Sequence, residues 1–146
     1  MDLRHSLIQH EGWKNKVYTD TVGKQTIGVG FNLTDVGLYD NEISFILDNR
    51  IALATKDAET LTCYKGSPPI IQDVLVELVF NLGIVKLRQF NTFLNYIDAG
   101  LFLEAAADLE GTLWYRQVGN RGKDLCGVIR SAEDVSKTPD TQEPVA

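Results

Sequence analysis

The feature that most constrains the fold of this chain is a long, regularly spaced run of apolar residues. They recur at intervals of four, four, three, four and three, at Ile43, Leu47, Ile51, Ala54, Ala58 and Leu61. This spacing keeps them on one face of an α-helix, for which Asp40 is a candidate cap. At 1.5 Å per residue the helix would be roughly 30 Å long. The sequence therefore predicts a helix long enough to bridge two lobes.

Shorter helical patterns surround this run. Near the N-terminus, Leu3, Leu7 and Ile8 have helical spacing behind a capping Asp2, and the pattern ends near residues 11–12. A Ser-Pro-Pro sequence at 67–69 predicts the start of another helix, and Gly83 predicts its end. Further helices are predicted at 90–99, 102–109 and 120–132.

Two strands are predicted between the first helix and the long one. Residues 16–20 and 25–30 favour strands, and residues 21–24 favour the turn between them. On a continuous strand Thr26, Gly28 and Gly30 would share one face, open enough for a bulky polymer to approach the backbone. The pattern as a whole predicts an α+β protein with one small antiparallel sheet and many helices.

Composition narrows the class of protein further. The chain has 146 residues, of which 44% are hydrophobic, as expected for one soluble domain. No apolar run is long enough for membrane insertion, and the N-terminus does not resemble a signal peptide. A net charge of −6 argues against nucleic acid as a partner. Half of this charge lies from Glu133 onward, and residues 136–146 are predicted to be a disordered acidic tail.

Cysteine and histidine are scarce. Cys63 and Cys126 are expected to be free thiols in a reducing compartment. With only two histidines, no metal site and no cofactor are predicted. His10 is adjacent to Glu11 and is a candidate second catalytic group, but a solvated helix position explains it equally simply.

The residues most suggestive of chemistry are Glu11, Asp20 and Thr26. Glycoside hydrolysis needs one protonated carboxyl group and one ionised carboxylate. A glutamate at a helix end and an aspartate at a strand end could face each other across a cleft, with the threonine hydroxyl holding a water. Spacing alone leaves open a surface glutamate, a turn aspartate and a glycine-rich hairpin.

These residues resemble the Glu-x8-Asp/Cys-x5-Thr signature of glycoside hydrolase family 24, the phage lysozymes. The flanking segments at 11–12, 18–20 and 26–30 are similar to the family's as well. Further segments at 79–83, 90–91 and 114–121 resemble its T-even (T4-type) members, and residues 76–130 align with them without a gap. The resemblance is weaker between positions 35 and 73, where this chain is shorter.

The resemblance implies a role for each matching residue. Glu11 would be the general acid, Asp20 the general base or electrostatic partner, and Thr26 the residue that positions the attacking water. Arg121 would orient the general acid. Residues that would bind substrate are Gly30, Phe80, Asn81, Phe90 and Asn120. For the two phenylalanines, core packing explains the sequence equally well.

Two positions depart from the T-even pattern. Phe31 replaces a histidine, so a histidine–carboxylate pair is lost there. Asp108 replaces a cleft asparagine, which puts that sugar contact in doubt.

The resemblance also implies an overall organisation and an activity. A catalytic domain at 1–135 would have a sheet lobe at about 12–40 and a helical lobe formed by 1–11 and about 65–135, with the cleft between them. The expected protein is a monomeric endolysin of the host cytoplasm that hydrolyses peptidoglycan glycan strands after membrane permeabilisation, with inversion. Two alternatives remain: a chitinase or lytic transglycosylase of similar fold, and an inactive wall-binding or virion module.

Overall fold

The computed structural model describes residues 2–136 of the chain. These residues form eight helices and one three-stranded antiparallel sheet, which confirms the α+β prediction. The chain divides into two compact units, Met1–Leu47 and Asp48–Ala146. The elements, in chain order, are α1 (Leu3–Glu11), β1 (Lys14–Thr19), β2 (Gln25–Gly28), β3 (Phe31–Asn32), α2 (Asp40–Ala58), α3 (Pro69–Leu82), α4 (Ile84–Leu87), α5 (Asn91–Asp98), α6 (Phe102–Glu110), α7 (Leu113–Val118) and α8 (Asn120–Ser136).

The first unit contains α1 and the whole sheet. The strand order is β1-β2-β3, with antiparallel pairing throughout. In the register, Thr26 on the central strand lies opposite Tyr18 on one side and Asn32 on the other. Among residues 2–47, Thr26 is the one buried residue, with 4% of its surface exposed. Local hydrogen bonds, rather than a large apolar core, therefore hold this hairpin in place.

The sheet differs from the prediction after Gly28. Gly28 and Gly30 both have positive φ, 68° and 66°, and the chain turns between them into β3, which the sequence pattern did not predict. The prediction that Gly30 continues the strand face of Thr26 was therefore wrong. Alternating glycines fit a strand pattern, but only their missing side chains permit this backbone conformation.

The predicted long helix is α2, and the boundary between the two units falls within it. Its 19 residues give it a length of about 28 Å at 1.5 Å per residue. Glu42 accepts a hydrogen bond from the Tyr39 backbone N–H at 2.8 Å, which satisfies a donor at the helix start. Ala54 and Ala58 are buried, whereas the apolar residues of its first half are exposed, so the predicted face is covered only towards its C-terminal end.

The hydrophobic core of the described residues lies in the second unit. The predicted boundaries of α3 are confirmed: Pro69 occupies its first turn, and the N–H of Gly83 bonds to the Val79 carbonyl at 2.8 Å. The short helices α4 and α7 were not predicted. The largest fully buried side chains are Phe93, Ile71, Leu75, Leu78, Leu87, Leu109, Ile129 and Cys126.

The last helix, α8, continues past its predicted end to Ser136. The buried Glu133 accepts a hydrogen bond from the Phe102 backbone N–H at 3.1 Å, which caps the start of α6 from a distant part of the chain. The remainder of the predicted acidic tail, residues 137–146, lies outside the described residues. Within residues 2–136, no helix has the length and apolar character needed to cross a bilayer.

Candidate active site

Glu11 is the last residue of α1, and its position follows from how that helix begins and ends. The Asp2 side chain accepts a hydrogen bond from the His5 backbone N–H at 2.7 Å and caps the first turn. Gly12 ends the helix with φ of 85°, and its N–H bonds to the Ile8 carbonyl at 2.8 Å. The Glu11 side chain is exposed, as a proton donor to a polymer must be.

Gly30 lies directly beside the Glu11 carboxyl group. A Cβ placed on Gly30 would be 2.8 Å from Cδ of Glu11 and 3.2 Å from its Cβ, closer than real side chains approach. The turn after β2 therefore passes the end of α1 at a distance that only glycine permits. This contact brings Glu11 next to the sheet, and it gives Gly30 a reason to be glycine beyond its positive φ.

Asp20 folds back onto the turn that follows β1. Its Oδ1 accepts hydrogen bonds from the backbone N–H groups of Val22 at 3.0 Å and Lys24 at 2.8 Å. Its own backbone N–H donates to the Lys24 carbonyl at 2.9 Å. Within residues 2–136 no hydrogen bond reaches Oδ2, so that oxygen is free to accept one from water or substrate.

Thr26 is fixed by the same residue that fixes Asp20. Its hydroxyl donates to the Lys24 carbonyl at 3.2 Å, which leaves the lone pairs of the oxygen able to accept from a water. The Lys24 backbone thus contacts both side chains, donating to Asp20 and accepting from Thr26. Sequence reasoning missed this function of Lys24, although an aspartate followed by a glycine turn is a recognised signal for side-chain-to-backbone bonding.

The predicted substrate residues of the second unit lie at helix ends and on helix surfaces. Phe80 is 45% exposed on α3, whereas the half-buried Phe90 packs against the core at the start of α5. Asn120 is exposed at the start of α8. Core packing accounts for Phe90 but not for Phe80. Their contribution to substrate binding stays a prediction.

Asn81 and Arg121 have specific partners within the second unit. The buried Trp114 donates from Nε1 to Oδ1 of Asn81 at 2.7 Å, which fixes the orientation of the amide. Arg121 Nε lies 3.1 Å from Oε1 of Glu77. These partners are 33 and 44 residues apart in sequence, and no local pattern pointed to them. That Arg121 orients Glu11 stays a prediction.

The two cysteines are separate from these groups. Cys63 and Cys126 are both buried and free, which confirms the prediction of free thiols. Burial raises the pKa of both thiols, and that of Cys126 to about 11. Among the described residues, no group of three or more His, Cys, Asp or Glu side chains is placed to hold a metal ion.

Two carboxyl groups and a fixed hydroxyl on a helix end and a hairpin are the groups that metal-independent glycoside hydrolysis requires. The sequence model of the phage lysozyme family matches residues 8–133, across both units of the fold. The chain belongs to the phage lysozyme family and is a glycoside hydrolase of the lysozyme type. Peptidoglycan is the substrate class that this family implies.

Individual relatives agree with this assignment. The chain is 23% identical to probable T4-type lysozyme 1 of Dictyostelium discoideum over 159 aligned positions, covering 88% of this chain and 94% of the relative. It has the same identity and coverage with probable T4-type lysozyme 2 of that organism. It is 25% identical to the pre-baseplate central spike protein Gp5 of Enterobacteria phage T4, matching 88% of this chain but 28% of that protein.

Proposed function

We propose that this protein is a muramidase that hydrolyses the β-1,4 bond between N-acetylmuramic acid and N-acetylglucosamine in peptidoglycan, with inversion at the anomeric carbon. Glu11 donates its proton to the glycosidic oxygen as the bond from the anomeric carbon to that oxygen breaks. Asp20 accepts a proton from a water that Thr26 holds, while that water forms the new bond to the anomeric carbon. Both carboxyl groups return to their starting states after one further proton exchange with solvent.

The observation that carries this proposal is the joint fixation of Asp20 and Thr26 by one backbone residue. Lys24 bonds to one carboxylate oxygen of Asp20 and to the hydroxyl proton of Thr26. The second carboxylate oxygen and the threonine lone pairs are then the groups left to bind a water. An arrangement that positions water, rather than a carboxylate that attacks the sugar itself, favours inversion over retention.

Product analysis tests the proposal. Purified peptidoglycan sacculi are digested with the protein, and the fragments are reduced with borohydride and identified by mass spectrometry. The proposal predicts new reducing ends on N-acetylmuramic acid. Reducing N-acetylglucosamine ends would indicate a glucosaminidase, 1,6-anhydro ends a transglycosylase, and no fragments an inactive binding module; any of these would contradict it. For inversion, early NMR spectra should show the α-anomer of the new reducing end before mutarotation.

We further propose that the protein is an endolysin that acts as a monomer in host cell lysis. It would accumulate in the host cytoplasm and reach the periplasmic wall once the inner membrane is permeabilised. Expression in a Gram-negative host, with a membrane-permeabilising agent added at a chosen time, tests this. Lysis should follow only after the agent is added, and lysis without it would contradict the proposed place of accumulation.

A further inference from the structure

A closed ring of interactions surrounds Thr26 and passes through residues that the catalytic proposal does not use. The Lys24 carbonyl accepts from the Thr26 hydroxyl at 3.2 Å, and the Lys24 ammonium lies 3.1 Å from Oδ1 of Asp35. Asp35 Oδ2 accepts from the Asn32 side-chain amide at 3.1 Å, and the Asp35 backbone N–H donates to Oδ1 of Asn32 at 3.0 Å. Asn32 lies opposite Thr26 in the sheet register, which closes the ring.

The segment at 32–35 is also bonded to the hairpin by its neighbours. The Gln25 backbone N–H donates to the Thr34 hydroxyl at 2.9 Å, and the Leu33 backbone N–H donates to the Gln25 carbonyl at 2.8 Å. Asp35 therefore sits at the end of a well-anchored segment. Its carboxylate contacts a side chain whose backbone holds both Asp20 and Thr26.

We propose that Asp35 is a positioning residue for the hydrolysis: through the Lys24 side chain it fixes the peptide group that holds Asp20 and Thr26. The proposal rests on the proposed function of those two residues. The ion pair is exposed, with 36% and 51% of the two side chains accessible, so its contribution to stability is small. Its effect falls on geometry, where a displacement of about 1 Å costs on the order of a hundredfold in rate.

The kinetic test uses Asp35→Asn, Lys24→Met and the double variant on solubilised peptidoglycan fragments. Asp35→Asn keeps the side-chain shape but removes the ion pair. Each single variant should lower kcat by about tenfold, part of the loss expected for misplaced groups, with KM unchanged within about twofold. The double variant should be no slower than the worse single variant, because both break the same contact. Lys24→Arg, which retains the charge, should keep kcat near the wild-type value.

A matched control breaks an ion pair of the same kind elsewhere. Arg130 pairs with Glu110 on the partly exposed surface of the second unit. Glu110→Gln should leave kcat unchanged. Equal kcat for wild type and Asp35→Asn, or additive losses in the double variant, would overturn the proposal.

Amide hydrogen exchange at Lys24 reads the same contact without catalysis. The Lys24 N–H is the donor to Asp20, so loosening of the peptide should speed its exchange about tenfold in Asp35→Asn, as expected for a weakened local opening equilibrium. Exchange at Lys24 that is unchanged in this variant would overturn the proposal. If the wild type releases no wall fragments, the proposed function fails, and the exchange rate still decides whether Asp35 fixes the peptide.

Discussion

Gly30 leaves no room for a side chain beside Glu11: a Cβ on Gly30 would lie 2.8 Å from the carboxyl carbon of Glu11. The helix end that bears the proposed proton donor and the turn after the central strand therefore constrain each other. This contact places the carboxyl group against the sheet that also bears Asp20 and Thr26. It is the most specific packing relationship in the first unit.

Gly30→Ala should displace the Glu11 carboxyl group and lower wall hydrolysis by tenfold or more. It should also cost about 1–2 kcal/mol in stability, because φ is 66° there. Gly37→Ala is the matched control, since Gly37 has φ of 71° with nothing within 4 Å of its Cβ position. It should show the same stability loss with wild-type activity. Equal activities in the two variants would mean that the contact with Glu11 has no catalytic consequence.

Thr26→Val should lower the turnover number while preserving the fold. Valine has nearly the same shape, and the Lys24 carbonyl keeps a donor in the Asp20 backbone N–H. Loss of one water-positioning hydrogen bond should reduce kcat by about 10- to 100-fold. Thr92→Val, at an exposed position of α5, serves as the control and should be fully active. A Thr26→Val enzyme with wild-type kcat would remove Thr26 from the mechanism.

Asn81→Ala and Trp114→Phe should raise KM by similar factors, because Trp114 holds the amide that is predicted to bind substrate. The loss of one hydrogen bond is worth about 1 kcal/mol, or roughly a fivefold change in KM. The double variant should be no worse than Asn81→Ala alone. Asn95→Ala, on the exposed surface of α5, is the control. If Trp114→Phe melts at a lower temperature but leaves KM unchanged, the bond only stabilises the second unit.

The buried thiol of Cys126 makes stability depend on pH in the alkaline range. Burial raises its pKa from 9.0 to about 11 in the folded state. Between these values the unfolded chain loses a proton that the folded chain keeps, so the free energy of unfolding falls as pH rises from about 9 to about 11. Urea unfolding at several pH values should show a smaller fall for Cys126→Ala than for wild type. Parallel curves for the two proteins would contradict this.

Local chemistry explains which elements could be predicted from the sequence. Helices with a capping residue or proline at the start and glycine at the end were placed correctly, as α1 and α3 show. The short elements β3, α4 and α7 have too few residues for a periodic pattern. The alternating glycines at 28 and 30 matched a strand pattern, yet their positive φ values end the strand.

The candidate site was predictable only in part. Glu11, Asp20 and Thr26 stand out because their chemistry and spacing are recorded in the sequence. Their fixation by Lys24 depends on backbone atoms, which have no sequence signature beyond the turn. The Trp114–Asn81 and Arg121–Glu77 contacts join distant positions, and tertiary packing alone creates them.

Replacement of Glu11 by glutamine tests the central claim most directly. The amide keeps the shape of the side chain but has no proton of suitable acidity to donate to the glycosidic oxygen. Glu59→Gln, at an exposed position after α2, is the matched control. Release of soluble fragments from purified sacculi should fall by about 10²- to 10⁴-fold in Glu11→Gln, with an unchanged circular dichroism spectrum, and should be normal in Glu59→Gln. A folded Glu11→Gln protein that keeps more than about a tenth of the wild-type rate would contradict the assignment of Glu11 as the general acid.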